Sequence, residues 1–274
     1  MDLRPMTISE LLDRTFFFYR KHFLVFVGII AIPMLVWLLV SVVTIVIQSP
    51  LPANSTARSL LEFIPIITLI LISFFAQGAT IAAVSDVYLE RPLSVGNSYA
   101  RLRGNLLSLL LALIFLIVTT MFGFILCIVP GIIFALAFIL TIPAVVVENM
   151  TPMDAMSRSW ELTKESRGRI FLILIIVGCL AGVINGIFQL PGIIMSIIAG
   201  ALSRAGNPTN LMMPAQIVTI VGSFFASCLT TPLSAIATSL IYYDQRVRKE
   251  GFDLQLMLSA LESRGNETPR QEIF

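Results

Sequence analysis

The sequence predicts an all-α, polytopic membrane protein, a transmembrane bundle of six helices. Three observations carry that expectation. The chain of 274 residues is 57% hydrophobic and 12% charged, with a mean hydropathy of +0.93. Soluble domains carry about 25% charged residues, so this much apolar surface needs lipid as its solvent. Six apolar runs are each long enough to cross a hydrocarbon core, which takes about 20 helical residues. The positive charge is also one-sided: with six spans, one side holds sixteen of the eighteen Lys and Arg residues, and the other holds Arg58 and Arg204.

The elements follow in order. Residues 1–22 place Ile8, Leu11, Leu12, Thr15 or Phe16, and Tyr19 on one helical face, and Thr7 with Glu10 spells a capping box. This predicts an amphipathic helix lying at the membrane surface, with Arg14, Arg20 and Lys21 toward water or headgroups. Span 1 is expected at about 23–47, with Pro33 a site for a kink. It begins too late and runs too long for a cleaved signal peptide. A loop rich in Pro, Ser and Asn leads to span 2 at about 60–85. Residues 90–104 form a second interfacial segment, with Val95, Tyr99, Leu102 and Leu106 on one face.

Leu106 to Val147 is too long for one span, so Pro130-Gly131 is expected to turn the chain between span 3, at about 105–127, and span 4, ending near Val147. Residues 148–169 form the third interfacial segment, with Met153, Met156 and Trp160 along one face. Span 5 is expected at about 170–190, ending at Pro191-Gly192, and Ile193 to Leu202 as a partial helix too short to cross. Span 6 is expected at about 216–243. In the tail, Leu254, Met257, Leu258 and Leu261 have helical spacing, and residues 264–274 read as disordered.

Arg4-Pro5-Met6-Thr7, Arg91-Pro92-Leu93-Ser94 and Thr151-Pro152-Met153-Asp154 share one order: Pro, a large apolar residue, then a helix-capping residue. Gly251-Phe252-Asp253 repeats it without the proline. Met6 with Leu11, and Phe252 with Met257, fit the hydrophobic staple. Residues 1–250 therefore read as a single integral membrane domain of three pseudo-repeats, each an interfacial helix plus a hairpin, at about 4–90, 91–150 and 151–250. Residues 251–274 read as a cytoplasmic amphipathic helix and disordered tail. The positive-inside rule places both termini in the cytoplasm.

No Asp, Glu, Lys or Arg falls deep in an expected span, which argues against a proton pump or an ion-coupled carrier. Gln77, Asn185 and Gln189 form a candidate intramembrane polar site. The functional reading is a substrate notch at the Pro191-Gly192 break. The plainer reading is helix packing at Gly178, Gly182 and Gly186, whose four-residue spacing invites close approach. Asp86, Glu148 and Asp244 each end an even-numbered span, and with Arg246 and Arg248 they form a candidate cytoplasmic interface. Arg91, Arg158 and Arg246 are the basic residues expected to answer the three acids, either as a shared site or as salt bridges fixing the surface helices. Tyr88, Tyr99, Trp160, Tyr242 and Tyr243 read as an aromatic belt.

Cys127, Cys179 and Cys228 form no Cys-x-x-Cys pair, and His22 is the one histidine, so neither a metal site nor a cofactor is expected. No phosphate-binding Gly loop or Gly-x-Ser-x-Gly elbow is present. The basic residues follow a membrane surface, so membrane lipids and a protein partner are the expected contacts, and nucleic acid is not.

Two stretches carry a family resemblance: Arg4-Pro-Met-Thr-Ile-Ser-Glu-Leu-Leu-Asp-Arg-Thr-Phe-Phe-Phe-Tyr-Arg20, and Leu240-Ile-Tyr-Tyr-Asp-Gln-Arg-Val-Arg-Lys-Glu-Gly-Phe-Asp-Leu254. Together they resemble the polytopic membrane-domain family named for its occurrence with glycerophosphoryl diester phosphodiesterases. The resemblance implies a prokaryotic cell membrane. In fused members a separate soluble domain performs the hydrolysis; none is legible here, so the resemblance carries over no catalytic residues. A non-enzymatic accessory or scaffold protein is expected, with a permease or lipid-handling transporter, its pathway between the hairpins, as the alternative.

Overall fold

The computed structural model describes residues 5–52, 55–88, 93–205 and 211–250. Helices α1 (Ile8–Lys21), α2 (Phe23–Gln48), α3 (Thr56–Tyr88) and α4 (Val95–Leu102) are followed by a 3₁₀ turn, Arg103–Asn105. Then come α5 (Leu106–Leu126), α6 (Ile128–Ala137), α7 (Thr141–Glu148), α8 (Pro152–Thr163), α9 (Arg167–Arg204) and α10 (Met212–Glu250). Six helical segments are long and apolar enough to cross a membrane: α2, α3, α4 with α5, α6 with α7, α9 and α10. Arg4, Arg91-Pro92, the Phe252–Met257 staple and the tail helix lie outside the described residues.

The ends of α3, α7 and α10 and the starts of α2, α5 and α9 gather with α1, α4 and α8 at one end of the bundle. Among the described residues, all Lys and Arg except Arg58 and Arg204 lie in segments at that basic end. Large apolar side chains along the spans face outward, as Leu39 on α2, Ile125 on α5 and Ile197 on α9 do, each more than 60% exposed. In lipid this is the expected surface.

The core is concentrated in the basic half. α3 is buried over Ala76 and Gly78 to Asp86, and α10 is almost continuously buried from Pro232 to Gln245. Both stretches are rich in Ala, Ser and Thr, whose small side chains let helix backbones approach. α10 packs on α9, α2, α1 and α3 and forms the axis of the molecule.

Thr7 caps α1 by the expected box, its hydroxyl accepting from the Glu10 N–H while Glu10 accepts from the Thr7 N–H at 2.7 Å. On α8 the cap is Thr151, through the Asp154 N–H, and not the expected Asp154, which lies inside the first turn; Ser94 makes no side-chain cap on α4. Met6 and Leu11 are both buried in the common core, as the staple requires.

Four expectations are corrected. Pro130-Gly131 does not form the turn after α5. Cys127 alone is extended (φ −177°, ψ 164°), and Pro130 sits in the first turn of α6, where its missing N–H would have no helical partner. Gly131 instead permits close contact with Phe124, since a Cβ there would come within 2.5 Å of the ring. Pro191-Gly192 does not end span 5, and no separate partial helix follows, because α9 runs unbroken for 38 residues. Gly192 lets α10 approach so closely that a Cβ would lie 2.1 Å from Thr219 Oγ1. Third, Gly178, Gly182 and Gly186 face outward, with nothing within 4 Å of an added Cβ. The close α9–α10 contact runs instead through Gly192 and Gly222, where a Cβ would meet Phe188 O at 2.2 Å.

Fourth, span 4 is broken between α6 and α7, and α8 fills the break. Ser159 accepts from the Leu140 N–H at 3.1 Å and donates to Ala137 O at 2.7 Å; Thr163 also donates to Ala137 O, at 3.3 Å. Backbone freed inside a membrane protein needs such protein partners. The buried face of α8 is therefore Ala155, Ser159, Leu162 and Thr163, while the expected anchor Met153 is 64% exposed.

Candidate functional site

At the basic end, charge and hydroxyl groups interlock. Asp244 on α10 is 1% exposed. Its carboxylate accepts from the Met6 N–H at 2.8 Å, from Arg248 Nε at 2.9 Å, and from Arg169 Nη1. The same two arginines donate to Met6 O, Arg169 at 2.6 Å and Arg248 at 2.5 Å. One acid thus ties the segment before α1 to α9 and α10. Charge-assisted bonds of this kind are the strong class.

A second cluster joins α7, α8 and α10. Glu148 accepts from the Tyr242 hydroxyl and pairs with Arg158 at 3.5 Å and Arg246 at 3.4 Å. Both arginines also pair with Glu250, Arg246 at 3.2 Å. Two acids and two bases close a neutral ring. Burial works against the Arg158 charge, but Glu148 and Glu250 outweigh it and hold the guanidinium above its ordinary pKa. Asp86 on α3 pairs with Arg101 of α4 at 2.5 Å.

The structure redistributes the expected acid–base partners. Glu148 does meet Arg158, yet Arg246 faces Glu148 while Asp244 takes Arg169 and Arg248. Asp86 meets Arg101, and Arg91 lies outside the described residues. The expected belt is corrected too: Tyr242 and Tyr243 are buried, at 0% and 4% exposure. Tyr243 donates to Ser85 at 2.9 Å and stacks on Tyr88 with ring centres 4.5 Å apart. Position near a span end does not distinguish a headgroup-facing tyrosine from one turned into the bundle.

The three amides fall in two places. Asn185 donates to Ala181 O at 2.9 Å and to Thr230 of α10 at 3.4 Å. Gln189 follows one turn on. Gln77 is on α3, which shares no substantial interface with α9.

A polar cleft at the far end was not anticipated. Three adjoining hollows of about 480, 400 and 230 Å³ lie where α2, α3, α9 and α10 separate, and Gln48 lines all of them. Gln48 is only 9% exposed, and its amide bonds to no side chain among the described residues. Arg58 and Glu62, one turn apart on α3 with N and O 3.9 Å apart, stand at the mouth. Gln216 of α10 adds a third amide-bearing or charged element to that rim, and Ser196 of α9 a hydroxyl. The floor is Trp37, Pro65 and Ile220, with Trp37 Nε1 donating to Pro65 O at 3.1 Å. The sequence did contain a signal: Trp37, Ser41, Thr44 and Gln48 recur at i, i+4, i+7 and i+11 in an otherwise apolar helix.

A family model described as the membrane domain of glycerophosphoryl diester phosphodiesterase matches residues 112–272, more than half of the chain. The chain belongs to this family. The match begins within α5, so it takes in the Glu148 ring, Asp244, and the α9 and α10 walls of the far cleft. It bears out the resemblance read from Leu240–Leu254, while Arg4–Arg20 lies outside the matched residues. No curated protein and no solved structure matches the chain.

Proposed function

We propose that the protein is a non-enzymatic accessory or scaffold protein of a prokaryotic cell membrane, with its basic end cytoplasmic. The concentration of Lys and Arg at one end supports that orientation. The observation that carries the scaffold reading is the pairing of the basic-end charges with one another. Asp244 holds the segment before α1 to α9 and α10, and the Glu148 ring holds α8 to α7 and α10. This arrangement suits a preset platform. α1, α4 and α8 each precede a pair of spans, which supports the three-unit reading. The outer side of α1 offers Phe16, Phe17, Arg20 and Lys21 around a hollow of about 530 Å³. Aromatic side chains beside basic ones fit anionic headgroups or a membrane-bound partner.

The test is mass spectrometry of the protein extracted in native lipid discs. A stoichiometric second protein, lost on Arg20→Glu with Lys21→Glu, is the expected result. A protein with no partner in native membranes, whose deletion leaves every membrane complex intact, would overturn the reading. A transport pathway through Gln77, Asn185 and Gln189 draws less from the geometry, since Asn185 is bonded within the α9–α10 pair and Gln77 stands apart.

A further inference from the structure

We infer that the far-end cleft binds the zwitterionic phosphodiester head of a membrane lipid, with the start of its acyl chains in the apolar floor. This goes beyond the accessory role and does not depend on it.

The cleft is built for two charges. Its cationic side is Arg58, in the first turn of α3, whose backbone N–H is capped by Ser55 at 3.3 Å. α10 also starts at this rim, with Met212, Met213 and Gln216 on the wall. Helix starts carry partial positive charge, and the Arg58 guanidinium adds a full one with a planar donor fork suited to phosphate. The anionic side is the Glu62 carboxylate, together with the C-terminal end of α2 at Gln48 and Ser49. Arg58 and Glu62 form a wide ion pair, 3.9 Å apart with no hydrogen bond between them, so a ligand carrying both charges can engage each in its place.

Gln48 supplies the second observation. The residue is nine-tenths buried, its amide opens onto all three hollows, and it has no side-chain partner among the described residues. An amide held in a cleft wall with no protein partner offers both a donor and an acceptor to a ligand. Ser41 and Thr44 donate back to their own helix, to Trp37 O at 2.8 Å and Val40 O at 2.7 Å, leaving acceptor lone pairs on their hydroxyls. Below them the hollow ends on Trp37, Pro65 and Ile220, while Ile45 and Glu62 line it nearer the mouth. Trp37 lies eleven residues from Gln48 on α2, a depth of about 16 Å at 1.5 Å per residue. The order from mouth to floor is charged, polar, then apolar, which is the order of a phospholipid from headgroup through glycerol to chain.

The experiment uses the full-length protein in a sugar-headed detergent. The probes are dihexanoyl phosphatidylethanolamine, dihexanoyl phosphatidylglycerol and glycerophosphoethanolamine, the last two lacking the amine and the chains respectively. Trp37 is one of two tryptophans, so its fluorescence is isolated by Trp160→Phe. Retained lipid is counted by native mass spectrometry. The expected result is saturable binding of phosphatidylethanolamine, one per protein, with a change in Trp37 emission and weaker binding of the other two probes. Arg58→Gln should weaken it roughly tenfold or more, the effect of losing a charged hydrogen-bond donor. Glu62→Gln should erase the preference over phosphatidylglycerol. Arg103→Gln, exposed at the basic end, should change nothing. Arg58→Lys, which keeps the charge but loses the planar donor fork, stands in if Arg58→Gln lowers the melting temperature, and should also weaken binding, though less. Equal binding of glycerophosphoethanolamine would make the ligand a free headgroup and overturn the lipid assignment. No saturable binding, or the same affinity in the Arg58 variants, would overturn the site.

Discussion

At the residue scale, Asp244 and Ser159 each complete contacts from several elements at once. Asp244 receives Met6 N–H, Arg169 and Arg248 while almost fully buried. Asp244→Asn keeps an acceptor but leaves two arginines without their counter-charge. Removing one partner of a buried charge cluster typically destabilises by about 3–5 kcal/mol. Thermal unfolding in detergent should therefore show a clear loss for Asp244→Asn, and Arg248→Gln added to it should cause less further loss than it causes alone. Additive losses would mean that the two do not act as a unit. Ser159→Ala tests the break in span 4. It removes the acceptor for Leu140 N–H and one donor to Ala137 O, so about 2 kcal/mol or more should be lost. Ser159→Thr, which keeps the hydroxyl, should recover most of it.

At the element scale, the contrast between α9's glycines is the sharpest test of the packing. Gly182 faces open space, and Gly222 of α10 lies against the Phe188 carbonyl. Gly222→Val should separate the hairpin and destabilise it by roughly 1–3 kcal/mol, whereas Gly182→Val should leave the melting temperature within a degree or two of wild type. Loss at Gly182 instead would place a partner on the outer face of α9. The sequence pattern pointed to the opposite assignment. Gly178, Gly182 and Gly186 have regular spacing, but spacing says only that they share a face, not which helix that face meets. Gly192 and Gly222 have no such register, and their proximity arises because two helices of 38 and 39 residues cross. Such helices are about 57 Å long, well beyond a hydrocarbon core of about 30 Å, so both continue past it.

At the scale of the whole molecule, the bundle is tight at its basic end and open at the other. α3 and α10 present Ala, Gly, Ser and Thr to one another in the basic half, and the buried residues concentrate there. In the far half α9 and α10 stay close through Gly192 and Gly222, and a cleft lined by α2, α3, α9 and α10 opens there. Side-specific labelling checks the membrane orientation. In a variant lacking the native cysteines, Ser55→Cys and Ala205→Cys should react with an impermeant maleimide on intact cells. Asn105→Cys and Lys164→Cys should react only after permeabilisation. The reverse pattern would place the basic end outside and remove the cytoplasmic platform.

Hydrophobic run lengths and the one-sided Lys and Arg distribution alone determined that this is a six-span helical membrane protein, because membrane thickness and the absence of water leave few other solutions. Local chemistry also determined the Thr7–Glu10 cap, which depends on residues three apart, whereas on α8 the cap fell to Thr151, before Pro152, and not to Asp154. The partners of each charge were decided by tertiary structure. Asp86, Glu148 and Asp244 were legible as acids at span ends, but apart from Arg248, one turn from Asp244 on α10, their arginines come from other helices, placed by packing. The same holds for the broken fourth span and the far cleft. An Ala137–Leu140 break is tolerated only because α8 brings Ser159 to it, and the polar stripe of α2 becomes a cleft wall only because three other helices diverge beside it. Sequence spacing defines faces; the arrangement of six helices decides which faces meet.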